Sequence, residues 1–91
     1  MYYVYVLISQ IDKKLYVGYT TNIQKRISEH KSGKVRSTKF RRPLKIIYCE
    51  IYTNEKEAKR REVYLKGGNG RKQLKQQIPT TLKKNQYKHL P

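Results

Sequence analysis

Leu15-Tyr-Val-Gly-Tyr-Thr-Thr-Asn-Ile-Gln-Lys-Arg-Ile-Ser-Glu-His30 changes its period partway along, and the change decides the fold. Leu15, Val17 and Tyr19 alternate with Tyr16 and Gly18, the two-residue repeat of a strand. Thr20, Thr21 and Asn22 then offer side-chain oxygens where a helix needs an N-cap. Ile23 and Ile27 follow at helical spacing, with Arg26 and His30 on almost the same face. This helix is expected from about Asn22 to His30 or Lys31, ending before Gly33. A strand and a helix thus deliver a tyrosine, an arginine and a histidine to one neighbourhood.

Upstream, Tyr2 to Ile8 is almost wholly apolar or aromatic and reads as a strand covered on both faces. The short polar stretch Ser9 to Lys14 reads as a hairpin loop joining it to the second strand. If Ser9 pairs with Lys14, Leu7 faces Tyr16 and Tyr5 faces Gly18. Tyr5 and Tyr16 then lie diagonally on one sheet face, and a one-residue slip would separate them. Gly18, without a side chain, is expected to leave a gap there for a ligand or a backbone.

Downstream, Lys31 to Lys45 has no period and is long for a loop, which marks it as a candidate binding segment. Leu44 to Tyr52 reads as a third strand with Cys49 buried in it. Asn54 and Glu57 frame a capping box that opens a second helix ending at Gly67-Gly68. Arg71 to Gln77 is expected to form one more short helical stretch. The expected class is α+β, a small three-stranded antiparallel sheet flanked by helices in the order β-β-α-β-α, with a short C-terminal helical element. Residues 1–78 are assigned to one domain and 79–91 to a loosely docked basic tail.

The 91 residues suffice for a single compact domain with a modest core. They carry 22 Lys+Arg against 6 Asp+Glu, a formal charge of +16, and nine tyrosines among those charges. A polyanionic partner is the usual reason for such a field, and aromatics among cations suit nucleic acid. The lone cysteine excludes a disulfide framework. No apolar run approaches the ~20 residues of a membrane span, and the N-terminus lacks a signal-peptide pattern, so no membrane partner is expected and the expected location is cytoplasmic.

Glu62 falls between Ala58 and Leu65, inside the apolar stripe of the second helix. A carboxylate there needs compensation, either a structural ion pair with one of the many arginines or a divalent metal. Mg²⁺ takes few protein carboxylates and fills its shell with water and phosphate oxygens. Arg26 and His30 taken singly read as a rim charge and a structural histidine, and Tyr5 and Tyr16 singly as sheet packing. Jointly, Tyr, His, Arg and Glu supply what phosphodiester cleavage needs: water activation, charge stabilisation and a metal site. Tyr5, Tyr16, Arg26, His30 and Glu62 are therefore expected to converge on one cleft, and a Glu62 facing away on the far side of the sheet would defeat that reading.

Tyr3-Val4-Tyr5 and Tyr16-Val17-Gly18 resemble the two short motifs that name the GIY-YIG nucleases. The agreement continues through Arg26, His30 and Ala58-Lys-Arg-Arg-Glu62, and from Tyr2 to about Leu74 the chain is similar to stand-alone, single-domain bacterial members. Tyr3 stands where the name has glycine. The resemblance implies a divalent-metal-dependent DNA endonuclease using Mg²⁺ or Mn²⁺, and it leaves open whether the DNA is single-stranded, structured or duplex. Carried over by position, Tyr5 and Tyr16 line the site, Arg26 stabilises phosphate charge, His30 assists proton transfer and Glu62 holds the metal. Tyr16 and His30 both stay open as the base. Asn69 is the candidate for an asparagine that follows the glutamate helix in the family, and Gly18 is a further site candidate. Lys34, Arg36, Lys39, Arg41, Arg42, Arg71 and Lys72 are the candidate nucleic-acid contacts. The alternatives are a catalytically silent nucleic-acid-binding module of the same fold, or a basic subunit docking an acidic protein.

Overall fold

The structure, a computed structural model, describes residues 1–88. Its elements in chain order are β1 (Tyr2–Ser9), β2 (Leu15–Thr20), α1 (Ile23–Lys31), a 3-10 turn (Lys39–Arg41), β3 (Leu44–Tyr52), α2 (Glu55–Lys66), α3 (Gly68–Gln77) and α4 (Pro79–Lys84). The three strands form one antiparallel sheet in the order β2-β1-β3. Register is as expected: Leu7 pairs with Tyr16 and Tyr5 with Gly18. The four-residue loop sets it, because Ser9 N donates to Lys14 O at 3.1 Å and closes the hairpin.

Alternation along the central strand sorts the core into two layers. Val4, Val6 and Ile8 face α2, α3 and α4, packing with Leu15, Val17, Ala58, Leu65 and Leu74. Tyr5 and Leu7 face the other way, toward Tyr16, Leu44 and the α1 residues Ile23 and Ile27. Helix α1 starts where its cap predicts: Asn22 Oδ1 accepts from Lys25 N at 3.1 Å. It stops at Gly33, whose φ of +80° the absence of a side chain permits. The Asn54 side chain caps α2 in the same way, accepting from Glu57 N at 3.0 Å.

Two expectations are corrected. Cys49 is exposed rather than buried, as is Ile51 beside it on the same strand. Strand β3 is an edge, and α1 packs over Tyr5, Leu7 and Tyr16, leaving the face of β3 that carries Cys49 open. The segment from Pro79 is not loosely docked: it forms α4, and Leu82 and Tyr87 are buried in the larger core cluster. Residues 89–91 of the expected tail lie outside the described residues. Among the described residues no helix is long and apolar enough to cross a membrane.

Candidate active site

Tyr5 rises from the central strand on the α1 face, and its ring lies over Gly18 of β2. A Cβ at Gly18 would run into the Tyr5 hydroxyl and ring. The expected gap therefore exists, but Tyr5 fills it and no ligand can. Filling it places the Tyr5 hydroxyl 2.8 Å from His30 Nε2, while His30 Nδ1 lies 2.8 Å from Thr38 Oγ1. The Thr38 hydroxyl donates to the Val35 carbonyl at 3.5 Å, which leaves its oxygen to accept from Nδ1–H. Assigned from this network, Nε2 is the bare nitrogen and accepts from the Tyr5 hydroxyl. The bonds run in one direction, from Tyr5 through His30 and Thr38 to Val35.

His30 is 1% exposed and has both ring nitrogens engaged, so it has no lone pair to offer a water molecule. Burial, helped by the Arg26 charge and opposed by Glu29, pushes its pKa down to about 4. Burial likewise pushes the Tyr5 phenol up to about 12, although the Arg26 guanidinium beside it pulls the other way. Both groups are therefore uncharged at neutral pH. Arg26 donates to Glu29 Oε1 at 3.3 Å and is more than a third exposed, and its contact with Tyr5 holds its own proton more tightly. Beside it opens a cleft lined by Tyr19, Thr20, Asn22, Lys25 and Glu29.

Tyr16 completes the cluster. Its ring centroid is 6.4 Å from that of Tyr5 and 5.2 Å from that of His30, which it meets edge-on. It is half-buried, and its hydroxyl makes no hydrogen bond among the described residues. Of the two tyrosines, Tyr5 is tied down and Tyr16 is free.

Glu62 comes from α2, on the opposite layer, and the expected convergence of five side chains on one cleft is not direct. Its carboxylate is one-fifth exposed and pairs with Lys66 Nζ at 2.9 Å, a lysine rather than an arginine. Glu55, Lys59, Glu62 and Lys66 form one stripe along α2. That stripe runs beside β2, because the Tyr19 hydroxyl donates to Glu55 Oε2 at 2.8 Å and Lys59 Nζ lies 5.4 Å from the Tyr19 ring. Behind burial and nearer partners, the Glu62 charge also raises the pKa of Tyr5 and Tyr19. Glu62 thus acts on the cluster from the β2 edge without touching it.

The donor set decides which metal the site could take. Among the described residues no group of three His, Cys, Asp or Glu could hold an ion. One hard carboxylate oxygen donor fits a Mg²⁺-type cation that draws its other ligands from water and phosphate, and does not fit an ion held by protein alone. Lys66 is itself half-exposed, so its ammonium can turn out to water where a cation takes its place.

The basic candidates divide. Arg41 Nε donates to Asp12 Oδ2 at 2.8 Å, Arg42 Nε to Lys39 O at 3.0 Å and Arg71 Nε to Leu65 O at 2.9 Å. These guanidinium groups fasten loops and helices. Lys34, Arg36, Lys39 and Lys72 are exposed, and Lys39 sits over the Phe40 ring. Asn69 is exposed at the start of α3, and no hydrogen bond among the described residues ties its side chain to the tyrosine cluster.

Two sets of residues had escaped notice. Thr38, which orients His30, had no signal beyond its place in a long loop without period. Glu50 forms a second polar cluster behind the larger core layer, where Arg61 Nε lies 2.9 Å from its Oε1 and the Tyr48 and Tyr52 hydroxyls donate to it. Burial opposes charge on Glu50, but those partners outweigh it and hold the carboxyl below its ordinary range. A glutamate inside an apolar strand was the signal for that cluster.

A β-β-α-β-α domain with two tyrosines on the hairpin, an arginine and a histidine on the first helix and a glutamate on the second defines the GIY-YIG class of nuclease domain. The GIY-YIG catalytic domain family matches residues 1–76, and the chain belongs to that family. It is 41% identical over 75 residues to a UPF0213 protein of Staphylococcus haemolyticus, covering 81% of this chain and 90% of that one. A UPF0213 protein of Clostridium perfringens is 43% identical over 67 residues, 72% of this chain and 71% of the other. The solution NMR structure of a UPF0213 protein from Bacillus halodurans superposes with a TM-score of 0.55 at 31% identity, covering 91% of this chain and 94% of that one. Membership places the chain in a nuclease superfamily whose members generally depend on a metal and act on nucleic acid.

Proposed function

We propose that this protein is a divalent-metal-dependent endonuclease that hydrolyses phosphodiester bonds in DNA, with Tyr16 as the side chain that meets the attacking water. The observation that carries the reading is the chain of bonds from Tyr5 through His30 to Thr38, set against an Arg26 that stays partly exposed. His30 cannot reach water, so its part is to fix Tyr5 by accepting that phenol's hydrogen bond. Tyr16, unbonded beside two neutral rings and a guanidinium, is placed to orient water, and Arg26 to neutralise the charge that grows on the phosphate. Glu62 is the residue that would hold Mg²⁺ or Mn²⁺. Such a cation, when bound, supplies Lewis-acid stabilisation of the phosphate and the leaving oxygen. The catalytic unit proposed is residues 1–78, with 79–91 as a basic appendage whose described part is anchored by Leu82 and Tyr87.

The ion pair between Glu62 and Lys66 favours a second reading, a nucleic-acid-binding module in which that carboxylate only balances a lysine. One experiment separates the two. Purified protein is incubated with single-stranded, duplex and branched DNA in Mg²⁺, in Mn²⁺ and in EDTA, beside Glu62→Gln. The nuclease reading expects cutting by wild type with metal only, and a variant that binds without cutting. Binding without cleavage of any substrate would leave the binding module, and equal cleavage by both proteins would remove Glu62 from the mechanism.

A further inference from the structure

Phe40 stands 85% exposed on the 3-10 turn between α1 and β3. A lone exposed aromatic is ordinary on a protein surface. This one differs in how firmly the backbone around it is held. Arg41 N donates to Thr38 O at 2.9 Å, Ser9 Oγ to Arg41 O at 2.7 Å, and Gln10 N to Pro43 O at 2.8 Å. Arg42 Nε reaches back to Lys39 O at 3.0 Å, and the Arg41 guanidinium grips Asp12, whose carboxyl it holds down at a pKa of about 2. The turn is fastened on both sides of Phe40, so the ring is kept in water by a segment that cannot fold it inward.

The surroundings of the ring suit one kind of ligand. Lys39 Nζ lies 5.4 Å from its centroid, and Arg36 is exposed with no side-chain partner among the described residues. Lys39 covers one face of the ring and leaves the other for a nucleobase, while the exposed Arg36, four residues earlier in the same segment, is available to an adjoining phosphate. The same turn contributes Thr38 to His30, so a base docked on Phe40 lies on the segment that braces the catalytic cluster.

We propose that Phe40 is a stacking platform for one unpaired nucleobase, with Lys39 and Arg36 holding the adjoining phosphates. The proposal rests on nucleic acid being the substrate, and it narrows the class to strands with single-stranded, frayed or nicked segments. Bases inside a duplex already stack on both faces and have no face left for the ring, whereas duplex phosphates remain open to the lysines.

The test measures binding alone, in EDTA, so that it does not depend on cleavage. A labelled single-stranded oligonucleotide and a blunt hairpin duplex are titrated by fluorescence anisotropy with wild type, Phe40→Ala, Phe40→Trp and Arg36→Ala. Base–aromatic stacking predicts that Phe40→Ala weakens single-strand binding by about 5- to 150-fold, with duplex binding changed less than about twofold. Its log K against log salt slope should match wild type, while that of Arg36→Ala becomes shallower. In a chain without tryptophan, Phe40→Trp supplies a unique fluorophore, which single strands should quench and the hairpin should not. The near-total exposure of Phe40 makes these variants safe for folding, and a thermal melt checks it. Unchanged single-strand affinity in Phe40→Ala, or an equal loss on both ligands, overturns the platform alone. Failure of wild type to bind either ligand overturns the nucleic-acid reading along with it.

Discussion

Acid should destabilise this domain chiefly through His30, well before its carboxylates titrate. In the unfolded chain a histidine titrates near 6.5, and in the fold burial and the Arg26 charge hold His30 at about 4. Between those values the unfolded chain binds a proton that the folded one refuses, so stability falls as the pH drops from 6.5 toward 4. Going from pH 7.5 to 4.5 would remove about 2.5 kcal/mol by this linkage, a large part of the ~5–14 kcal/mol expected for a domain of this size. Asp12 acts in the same direction but lower on the scale: its Arg41-held carboxyl, at about 2, keeps its stabilisation until the pH falls through 3.8. Glu50, also held below its ordinary 4.5, only begins to lose its stabilisation there, so an assay stopped at pH 4.5 reads mainly His30, and the difference between the profiles with and without His30 isolates it. Urea denaturation followed by circular dichroism at pH 4.5, 5.5, 6.5 and 7.5 measures it, in a His89→Gln background so that one imidazole titrates. His30→Gln in that background should flatten the profile. A flat profile with His30 present, or an equal slope without it, would refute the reasoning. An NMR titration of the His30 ring in the intact protein gives a second check, since a midpoint near 6.5 would contradict its burial.

Thr38→Val keeps the shape but leaves His30 Nδ1–H without an acceptor, and should cost about 1–3 kcal/mol in denaturation, with Thr38→Ser restoring most of it. Gly18→Ala should drive the Tyr5 ring off His30 at a cost of about 1–3 kcal/mol, and a denaturation midpoint equal to wild type would show that the ring can move away freely. Arg61→Met strands the Glu50 carboxylate, which is only 15% exposed, and should cost about 3 kcal/mol. The double variant Glu50→Met/Arg61→Met should recover most of that loss in the same measurement. Arg26→Ala should lower kcat on a cleavable substrate more than it weakens binding; matched losses would make Arg26 a binding residue.

What the chain discloses in advance is what periodicity and capping control. The hairpin followed from the short polar stretch Ser9 to Lys14, with its register left between two alternatives, and α1 from Asn22 and the Ile23/Ile27 spacing, because both depend on neighbours in sequence. Cys49 was misplaced because an apolar run reveals that a strand is half-buried, and the identity of the covered face depends on where a distant helix lies. Leu82 and Tyr87 were missed because two apolar residues among many polar ones raise no helical period. The bonds that engage Arg41, Arg42 and Arg71 were not legible, because charge is visible in a sequence and a carboxylate or carbonyl partner is not. Thr38 was invisible for a related reason: a threonine in a loop has the same composition whether it faces water or orients a histidine.

The position of Glu62 ties the site to the width of the sheet. Tyr5, Tyr16, Arg26 and His30 lie in one layer and α2 in the other, so a carboxylate on α2 can serve them only around an edge. With three strands in the order β2-β1-β3, Tyr5 and Tyr16 sit on the central strand and on an edge strand, and β2 is the edge beside which the Glu62 stripe runs. Gly18 contributes from that same edge strand, since only its missing Cβ lets the Tyr5 ring lean across β2. The cleft beside Arg26 opens at the end of the same strand, through Tyr19 and Thr20. In the proposed mechanism the phosphate therefore sits at the rim of β2, with the tyrosine layer on one side and the metal-holding carboxylate on the other. A fourth strand paired onto β2 would separate those halves while leaving every side chain of the proposed site in place.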